Sequence, residues 1–365
     1  MIYDGYRREW WRNRAVSWPG MGEGRDLGLY TGGSVELSAL SDMRVQGTLD
    51  YAGEVPRRGE LVRIYYGFAD ESGAELESPV GTFFVSPGDP SLGGAVVTGT
   101  AELESMLKPA LAGGYGRPYV VAAGSDPVAE AGAIFSRLGL ATNGATSSRR
   151  LASDVVYDPD DKWITIANDL LSRAGYAGAY PDPWGSIVME PYRDPSERPV
   201  AWTFRDGDGS IMLPAVTMRD SVGKANNVVS MTYEGEGETI WAQCRNVDPE
   251  SAASIPSVGY AVSTHETVSE LAGTTAQARE AELAARCREK VVDEASIVEY
   301  VDWGWPWLPL SPNDAIEIDY SSERLLWRGA ITSMRMDVGG HCHVNASARR
   351  FVRRDLAVEE DSATW

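Results

Sequence analysis

Apolar and polar residues alternate with a period of two in two separate blocks of this sequence, and this pattern restricts the fold more than any single motif does. The first block contains "SVELSALSDMRVQGTLDY", "ELVRIYYGF" and "VGTFFVS". The second contains "NNVVSMTYEG", "TIWAQCRNV", "SIVEYVDW" and "DAIEIDY". Alternation of this kind is typical of strands that bury one face. We therefore predict β structure over about residues 31–107 and 215–352.

Two helical patterns lie between the blocks. "SDPVAEAGAIFSRLGL" predicts a helix with Asp126 as N-cap and Gly139 at its end. "DPDDKWITIANDLLSRAGY" predicts a second helix that starts at Asp158 and stops at Gly175. Its apolar stripe consists of Trp163, Ile166, Ala167, Leu170, Leu171 and Ala174. With the hairpin predicted from "YAGAYPDPWGSIVMEPY", these helices form an inserted α/β segment over 108–214.

The second block also contains a helical pattern, "TTAQAREAELAARCREKVV", which a Thr274–Gln277 capping box would open. The predicted fold class is therefore α+β, and mainly β. Residues 1–30 and the acidic tail, 353–365, lie outside the two blocks, and we expect the tail to be frayed.

Size and charge exclude several classes of protein. A chain of 365 residues predicts two or three domains. The net charge of -20 disfavours stable binding to nucleic acid, which needs local positive charge. There is no stretch of about 20 apolar residues for a membrane span. The first residues lack the apolar core of a signal peptide, which predicts folding in a reducing cytoplasm.

The cysteines are few and odd in number. Cys244, Cys287 and Cys342 form no CxxC pair, so the sequence implies neither a disulfide framework nor a zinc knot.

The N-terminal residues 1–30 combine aromatic and basic side chains and show no regular pattern. Trp10 and Trp11 stand beside Arg12 and Arg14. We interpret this segment as an arm that docks on a neighbouring subunit. A nucleic-acid-binding arm is the less favoured alternative, because no other part of the chain is basic.

A tryptophan run precedes one strand of the second block. Trp303, Trp305 and Trp307 alternate, so in an extended chain they face the same side. Pro306 and Pro309 exclude a central strand. Packing in a core or an interface is favoured over a sugar-binding platform, because the neighbouring residues are apolar rather than hydrogen-bonding.

Two acidic patterns could carry chemistry. Glu317 and Asp319 share a strand face about 6.6 Å apart, within the roughly 6.5–9.5 Å of an inverting glycosidase pair. A solvated strand face explains them more simply. "RDGDGS", residues 205–210, resembles the start of a calcium loop but lacks the glutamate that completes one, so we predict a turn.

The motif "HCH" places His341 and His343 on one strand face. A metal site needs a third ligand, and nothing in the sequence brings His265 near. The expectation is that the protein binds no metal or other cofactor and has no catalytic residues.

The order of these elements resembles a known family. "GELVRIYYGF" follows the first strands, "WITIANDLLSRAGY" leads directly into "AYPDPWGSIVMEPY", and "KANNVVSMTYEG" precedes an Ala-rich helix and "PLSPNDAIEIDY". This arrangement resembles the hub proteins at the distal end of bacteriophage tails, also called baseplate hub or minor tail proteins. "SPNDAIEI" is similar to a run that introduces a strand of their second barrel, with Asn313 in place of the usual Gly.

The resemblance, over roughly residues 30–350, implies two similar β-barrel-like domains, related to tail-tube proteins, around the inserted α/β domain. It implies a homotrimer that joins a six-fold tail tube to a three-fold tip and forms part of the channel for DNA. The implied partners are a distal tail or tail-tube protein, a tape measure protein, and tail fibre or tip proteins. The tryptophan run would then fill a barrel end or seal a subunit contact. The alternative is a tail-associated protein that binds or degrades the cell wall.

Overall fold

The structure, a computed structural model, describes most of the chain. The described residues are 8–27, 30–52, 60–69, 73–87, 98–113, 116–194, 197–219, 225–235, 238–268, 271, 273, 275–295, 299–323, 325–339, 343–350 and 356–364. They divide into two compact units. The larger unit comprises residues 1–215 and 303–347, and the smaller unit comprises 216–302 and 348–365. Residues 303–347, predicted as part of the second β domain, therefore group with the N-terminal residues.

The larger unit is built on a mainly antiparallel sheet whose first strand in the chain begins at Arg8. Its first strands are β1 (Arg8–Ser17), β2 (Glu23–Asp26), β3 (Tyr30–Ser38), β4 (Val45–Ala52), β5 (Glu60–Ala69), β6 (Glu75–Pro87) and β7 (Thr98–Ser105). They are hydrogen-bonded in the order β3-β4-β7-β6-β5-β1-β2. Alternation in the sequence predicted most of these strands, because one face of each is buried.

Strand β1 corrects the prediction of an irregular N-terminal segment. It pairs with β5 along its whole length, from Arg8↔Ala69 to Ser17↔Glu60. Gly67 permits a close contact there, since a Cβ at this position would lie 2.3 Å from the Trp10 indole. Arginines on β1 hide its strand pattern, and the partner of Arg12, Glu77, lies 65 residues away in the sequence.

Strands from the C-terminal half complete this sheet. They are β12 (Val200–Arg205), β17 (Tyr300–Pro306), β18 (Ala315–Tyr320), β19 (Leu325–Asp337) and β20 (His343–Arg350), with unit boundaries inside β17 and β20. β19 pairs antiparallel with β3, from Ser333↔Ser38 to Asp337↔Ser34. β18 lies between β19 and β12, and its pairing with β12 is parallel. The two predicted β blocks are thus hydrogen-bonded directly to each other.

The inserted segment contains a short 3-10 helix (Lys108–Leu111), β8 (Tyr119–Val121), α1 (Pro127–Arg137), β9 (Val155–Tyr157), α2 (Trp163–Arg173), β10 (Tyr180–Pro181) and β11 (Ile187–Val188). The Asp126 carboxylate accepts the Val128 and Ala129 amides, which confirms the predicted cap of α1. α2 begins at Trp163 and not at Asp158. The preceding acids form a turn of their own, in which the Asp161 amide donates to the Asp158 carbonyl at 3.1 Å.

The insert has a continuous apolar core. The predicted stripe of α2 is buried together with the apolar face of α1, and both contact Ile187 and Met189 near the predicted hairpin. Val16 of β1 and Leu61 of β5 belong to the same cluster, so the helices pack on the sheet. Gly175 has a φ of +75°, which explains why it ends α2.

The smaller unit consists of a four-stranded sheet covered by one long helix. Its elements are β13 (Thr217–Arg219), β14 (Val228–Gly235), β15 (Glu238–Asn246), α3 (Ile255–Val258), β16 (Ser263–Val268), α4 (Ala276–Ala295) and β21 (Val358–Thr364). The sheet order is β16-β14-β15-β21, and β13 pairs with the start of β17. The Thr275 hydroxyl accepts the Ala278 amide at 3.1 Å at the start of α4. Thr274 of the predicted capping box lies outside the described residues.

The acidic C-terminus corrects a second prediction. Residues 358–364 are not frayed, because β21 pairs with β15 from Ile240↔Thr364 to Asn246↔Val358. Side chains hold it to α4 as well: Ser362 donates to Glu280 at 2.9 Å, and Arg288 contacts Glu360. Strand pairing of this kind satisfies the backbone of β15, which would otherwise be an open edge.

The described residues are mainly β with four α-helices, so the predicted fold class is confirmed. The arrangement as two similar barrels stays a prediction. Among the described helices, none combines the length and the apolar character that crossing a lipid bilayer requires.

Candidate functional site

The tryptophan run is buried within the larger unit. Trp303 and Trp305 lie in β17 and Trp307 follows its end, with exposed fractions of 3%, 0% and 5%. The rings of Trp303 and Trp305 stack at 5.0 Å. Phe204 of β12 packs against both, at 5.5 and 4.9 Å, and Trp307 lies 5.4 Å from Tyr66. This cluster is an apolar core formed by strands that are distant in sequence.

Burial decides between the interpretations of this run. A sugar platform needs exposed indole faces beside polar groups, so the platform is excluded for these three residues. These side chains are enclosed by their own chain, and their part in sealing a contact between subunits stays a prediction. The alternative that they fill a barrel end stays a prediction.

The residues of the proposed N-terminal arm lie on β1. Trp10 Nε1 donates to Glu77 Oε2 at 2.8 Å, and Arg12 binds the other oxygen of Glu77 at 3.0 Å. Arg14 binds Glu23 at 2.6 Å, and the Trp11 ring lies 5.1 Å from that of Tyr66. These side chains are therefore ordered by strands of their own chain. Docking of this face on a neighbouring subunit stays a prediction.

Arg63 is a residue that the sequence analysis missed. It lies in β5 and is buried. Its Nε donates a hydrogen bond to the Thr82 hydroxyl at 2.8 Å, and its Nη2 donates one to the Trp184 carbonyl at 2.8 Å. Its Nη1 donates to Glu23 at 3.2 Å. Hydrogen bonds from Tyr65, Arg14 and Arg63 hold the pKa of Glu23 below its usual value. An arginine inside the apolar strand "LVRIYYGF" was the available signal.

Arg63 fastens the β10–β11 hairpin to the sheet, and this gives a testable prediction. Because Arg63→Met removes three hydrogen bonds of a buried guanidinium, it should lower the free energy of unfolding by about 1–3 kcal/mol. Arg14→Met is the matched control, since Arg14 binds the same carboxylate from a position that is one-third exposed. We expect its effect in urea unfolding to stay below about 1 kcal/mol. Equal effects would show that Arg63 does not hold the hairpin.

A cavity of about 610 Å³ with both charged and apolar lining residues lies beside that hairpin in the larger unit. Its charged lining residues are Arg44, Arg193, Arg198, Asp182, Glu190 and Asp314. Two non-glycine residues at its wall have left-handed backbones, Arg44 with φ 61° and Asn313 with φ 72°. Buried Nε atoms of Arg44 and Arg198 have no hydrogen-bond partner among the described residues.

Acidic groups of this cavity accept hydrogen bonds from other residues of the same chain. Glu190 accepts the Tyr180 hydroxyl at 3.1 Å, and Asp314 accepts the Ser311 amide at 2.8 Å. Burial raises the pKa of Asp314 and lowers that of Arg44. Burial and the neighbouring Glu190 together raise the pKa of Tyr180 to about 12. Tyr180 therefore stays protonated at neutral pH, and it is a hydrogen-bond donor rather than a nucleophile.

The raised pKa of Tyr180 predicts a pH dependence. A phenol has a pKa of about 10 in an unfolded chain, so the folded state holds this proton more tightly. The stabilisation is fully present below about pH 10 and is lost as the pH rises towards 12. The difference in phenolate absorbance between wild type and Tyr180→Phe should titrate near pH 12. A midpoint near pH 10 would contradict the buried position of this hydroxyl.

The acidic pair Glu317 and Asp319 lies on a partly exposed face of β18. Asp319 is 3.8 Å from Arg205 and accepts the Ser321 hydroxyl at 2.8 Å. Glu317 is in register with Arg328 on β19. This is a solvated strand face with basic neighbours, and it supports the simpler of the two interpretations.

Residues 207–210 form the predicted turn, and Asp206 accepts the amides of Ser321 and Ser322, both at 2.9 Å. His341, Cys342 and the side chain of His343 lie outside the described residues. Within the described part of the chain, no three His, Cys, Asp or Glu residues are grouped to hold a metal ion.

Comparison with known proteins finds similarity in structure but not in sequence. No protein-family model and no curated protein matches this chain. A tail protein from Neisseria meningitidis MC58 superposes with a TM-score of 0.62 at 9% identity, over 93% of this chain and 96% of that chain. The 43 kDa tail protein of prophage MuSo2 from Shewanella oneidensis superposes with a TM-score of 0.67 at 13% identity, over 96% of this chain and 100% of that chain. Prophage tail protein gp18 from Listeria monocytogenes EGD-e superposes with a TM-score of 0.51 at 10% identity, over 93% of this chain and 94% of that chain. Over nearly its whole length, this chain therefore has the fold of phage tail proteins.

Proposed function

We propose that this protein is a structural component of a bacteriophage tail. The observation that carries the proposal is the extent of the structural similarity, which includes 93–96% of this chain and 94–100% of three tail proteins. A match over nearly the whole of both chains supports a structural role without an added catalytic domain within these residues. The protein would act by binding its neighbours in the virion, after assembly in the host cytoplasm, and not as an enzyme.

Within the tail we place the protein at the distal tip as a homotrimeric hub. A trimer of chains with two β blocks each would contain six β blocks. The six blocks would match a six-fold tail tube on one side, and the three chains would match a three-fold tip on the other. The direct hydrogen bonding of β3 to β19 places strands of both blocks in one sheet, whereas β14, β15 and β16 form a separate sheet with β21. Its partners would be the distal tail or tail-tube protein, the tape measure protein, and fibre or tip proteins.

The negative charge of the chain suits a channel through which DNA passes. With a net charge of -20, a ring of these chains repels phosphate and lets DNA slide without binding. We therefore expect an acidic channel wall and no stable complex with DNA at physiological salt. Retention of DNA at that salt concentration, or a wall formed mainly by Lys and Arg, would contradict this role.

Imaging of the assembled tail tip tests the proposal. Cryo-electron microscopy should show three copies of this chain around the tail axis, next to the tube. One copy or six copies would exclude the hub, although the protein would remain a tail component. Absence of the chain from purified virions would exclude the tail role altogether. A monomer in dilute solution does not bear on the question, since assembly with neighbours drives many such oligomers.

The alternative, a cell-wall-binding or cell-wall-degrading protein, has its own test. Incubation of the purified chain with isolated cell wall would release soluble fragments if it were a hydrolase. A glycan-binding role predicts a change in tryptophan fluorescence on titration with wall polysaccharide. We expect neither, because the three tryptophans are buried and Asp319 is engaged with Arg205.

A further inference from the structure

Two cysteine thiols lie next to each other in the core of the smaller unit. Cys244 is in β15 and Cys287 is in α4, and their exposed fractions are 1% and 0%. Both are free thiols and both belong to one apolar cluster. The third cysteine, Cys342, lies outside the described residues. Nothing in the proposed tail function uses this pair.

The contacts of each sulfur bring it beside the other cysteine. Cys287 Sγ donates to the Val229 carbonyl at 3.3 Å, and Val229 is the register partner of Cys244. The same sulfur is 3.7 Å from the carbonyl of Ala242, two residues before Cys244 on the same strand. Cys244 Sγ contacts the carbonyl of Ala284, one turn before Cys287, at 3.9 Å. The helix and the sheet therefore present the two sulfurs to one another.

The two thiols differ in acidity. The hydrogen bond with Cys287, together with burial, raises the pKa of Cys244, whereas the hydrogen bond with Cys244 lowers the pKa of Cys287. Since the thiolate is the attacking species in thiol–disulfide exchange, we assign Cys287 as the attacking thiol and Cys244 as the second, resolving thiol.

We propose that Cys244 and Cys287 are an intrachain disulfide site that closes when the protein meets a small disulfide oxidant such as oxidised glutathione. The Cys287 thiolate attacks one sulfur of the oxidant, forms a mixed disulfide and expels one glutathione thiolate. The Cys244 thiolate then attacks the Cys287 sulfur and expels the second. One protein disulfide forms, and the two cysteine protons pass by way of solvent to the two expelled glutathione thiolates, which are released as reduced glutathione.

Access to the buried pair comes from local opening of α4, which exposes its apolar face for a short time. Once the bond forms, it ties α4 to the centre of the sheet and restricts that opening. The site is independent of the proposed function. Only its biological setting, a particle that leaves the reducing cytoplasm for an oxidising exterior, rests on the tail role.

The test uses the full chain in buffers of increasing ratio of oxidised to reduced glutathione. Peptide mass spectrometry without reduction should show the Cys244 and Cys287 peptides linked, with a mass two hydrogen atoms below their sum. Hydrogen exchange of the α4 amides should slow at least about tenfold in the oxidised protein. Cys342→Ser should behave as wild type in both measurements.

The outcomes are separable. Cys287→Ala should lose both the linked peptide and the slowed exchange, and Cys244→Ala should retain glutathione on Cys287 as a mixed disulfide. If both thiols of the wild type still react with iodoacetamide upon unfolding after treatment in the most oxidising buffer, the proposal is wrong. Links that involve Cys342 instead would overturn it equally. The wild-type measurement decides by itself if either alanine variant does not fold.

Discussion

Replacing Trp305 with alanine is expected to lower the free energy of unfolding by about 3–5 kcal/mol. The Trp305 side chain is completely buried and lies against Trp303 and Phe204, at 5.0 and 4.9 Å between ring centroids. Its removal leaves a large cavity among rigid aromatic neighbours that cannot collapse to fill it. Urea unfolding followed by far-ultraviolet circular dichroism measures the loss, without depending on the fluorescence of the deleted indole.

Trp184→Ala is the matched control for this experiment. Trp184 lies between β10 and β11 with 52% of its surface exposed, and its ring contacts Arg63 at 5.0 Å. Loss of an exposed indole and one cation–π contact should cost only about 1 kcal/mol. If the two variants lost equal stability, the tryptophan run would not form the core of the larger unit. The glycan-binding interpretation would then need to be considered again.

Leu170→Ala is expected to cost about 2–5 kcal/mol. Leu170 lies on the buried face of α2, has no exposed surface, and shares its core with Phe135 of α1 and Met189 after β11. Alanine is as good a helix former as leucine, so the loss measures packing and not helix propensity. Denaturant unfolding compares the variant with the wild type.

Leu326→Ala provides the comparison, because Leu326 is 63% exposed in β19. We expect its effect to stay within about 0.5 kcal/mol. A Leu170→Ala change as small as that of Leu326→Ala would show that the α2 stripe does not hold the inserted segment together.

Local signals predicted the inserted segment well. The first helix was fixed by Asp126, whose carboxylate caps it, and the stripe of the second helix is buried as expected. The predicted start of α2 was wrong, because Asp158 and Asp161 form hydrogen bonds with each other in a turn instead of entering the helix. A run of acids followed by an apolar stripe is compatible with both structures, so the sequence could not separate them.

The candidate sites were harder to predict, because they are formed by residues that are distant in the sequence. The tryptophan run was predicted to pack, but only the structure shows that Phe204 and Tyr66 enclose it. The arginines and tryptophans of β1 suggested an arm because Glu77, which binds two of them, lies more than 60 residues away. The Cys244–Cys287 pair gave no usable signal for the same reason, and Arg63 gave only one, an arginine inside an apolar strand.

The sequence by itself determined the kind of most elements between residues 31 and 352, through alternation, helical stripes, caps and glycine stops, because these depend on neighbours within a few residues. It also determined the acidic charge that disfavours nucleic acid binding. Only the tertiary structure decided that β3 pairs with β19 and that the acidic C-terminus becomes a strand beside β15. These pairings are settled by which strand edges remain open once the cores have formed, and no local pattern records that competition.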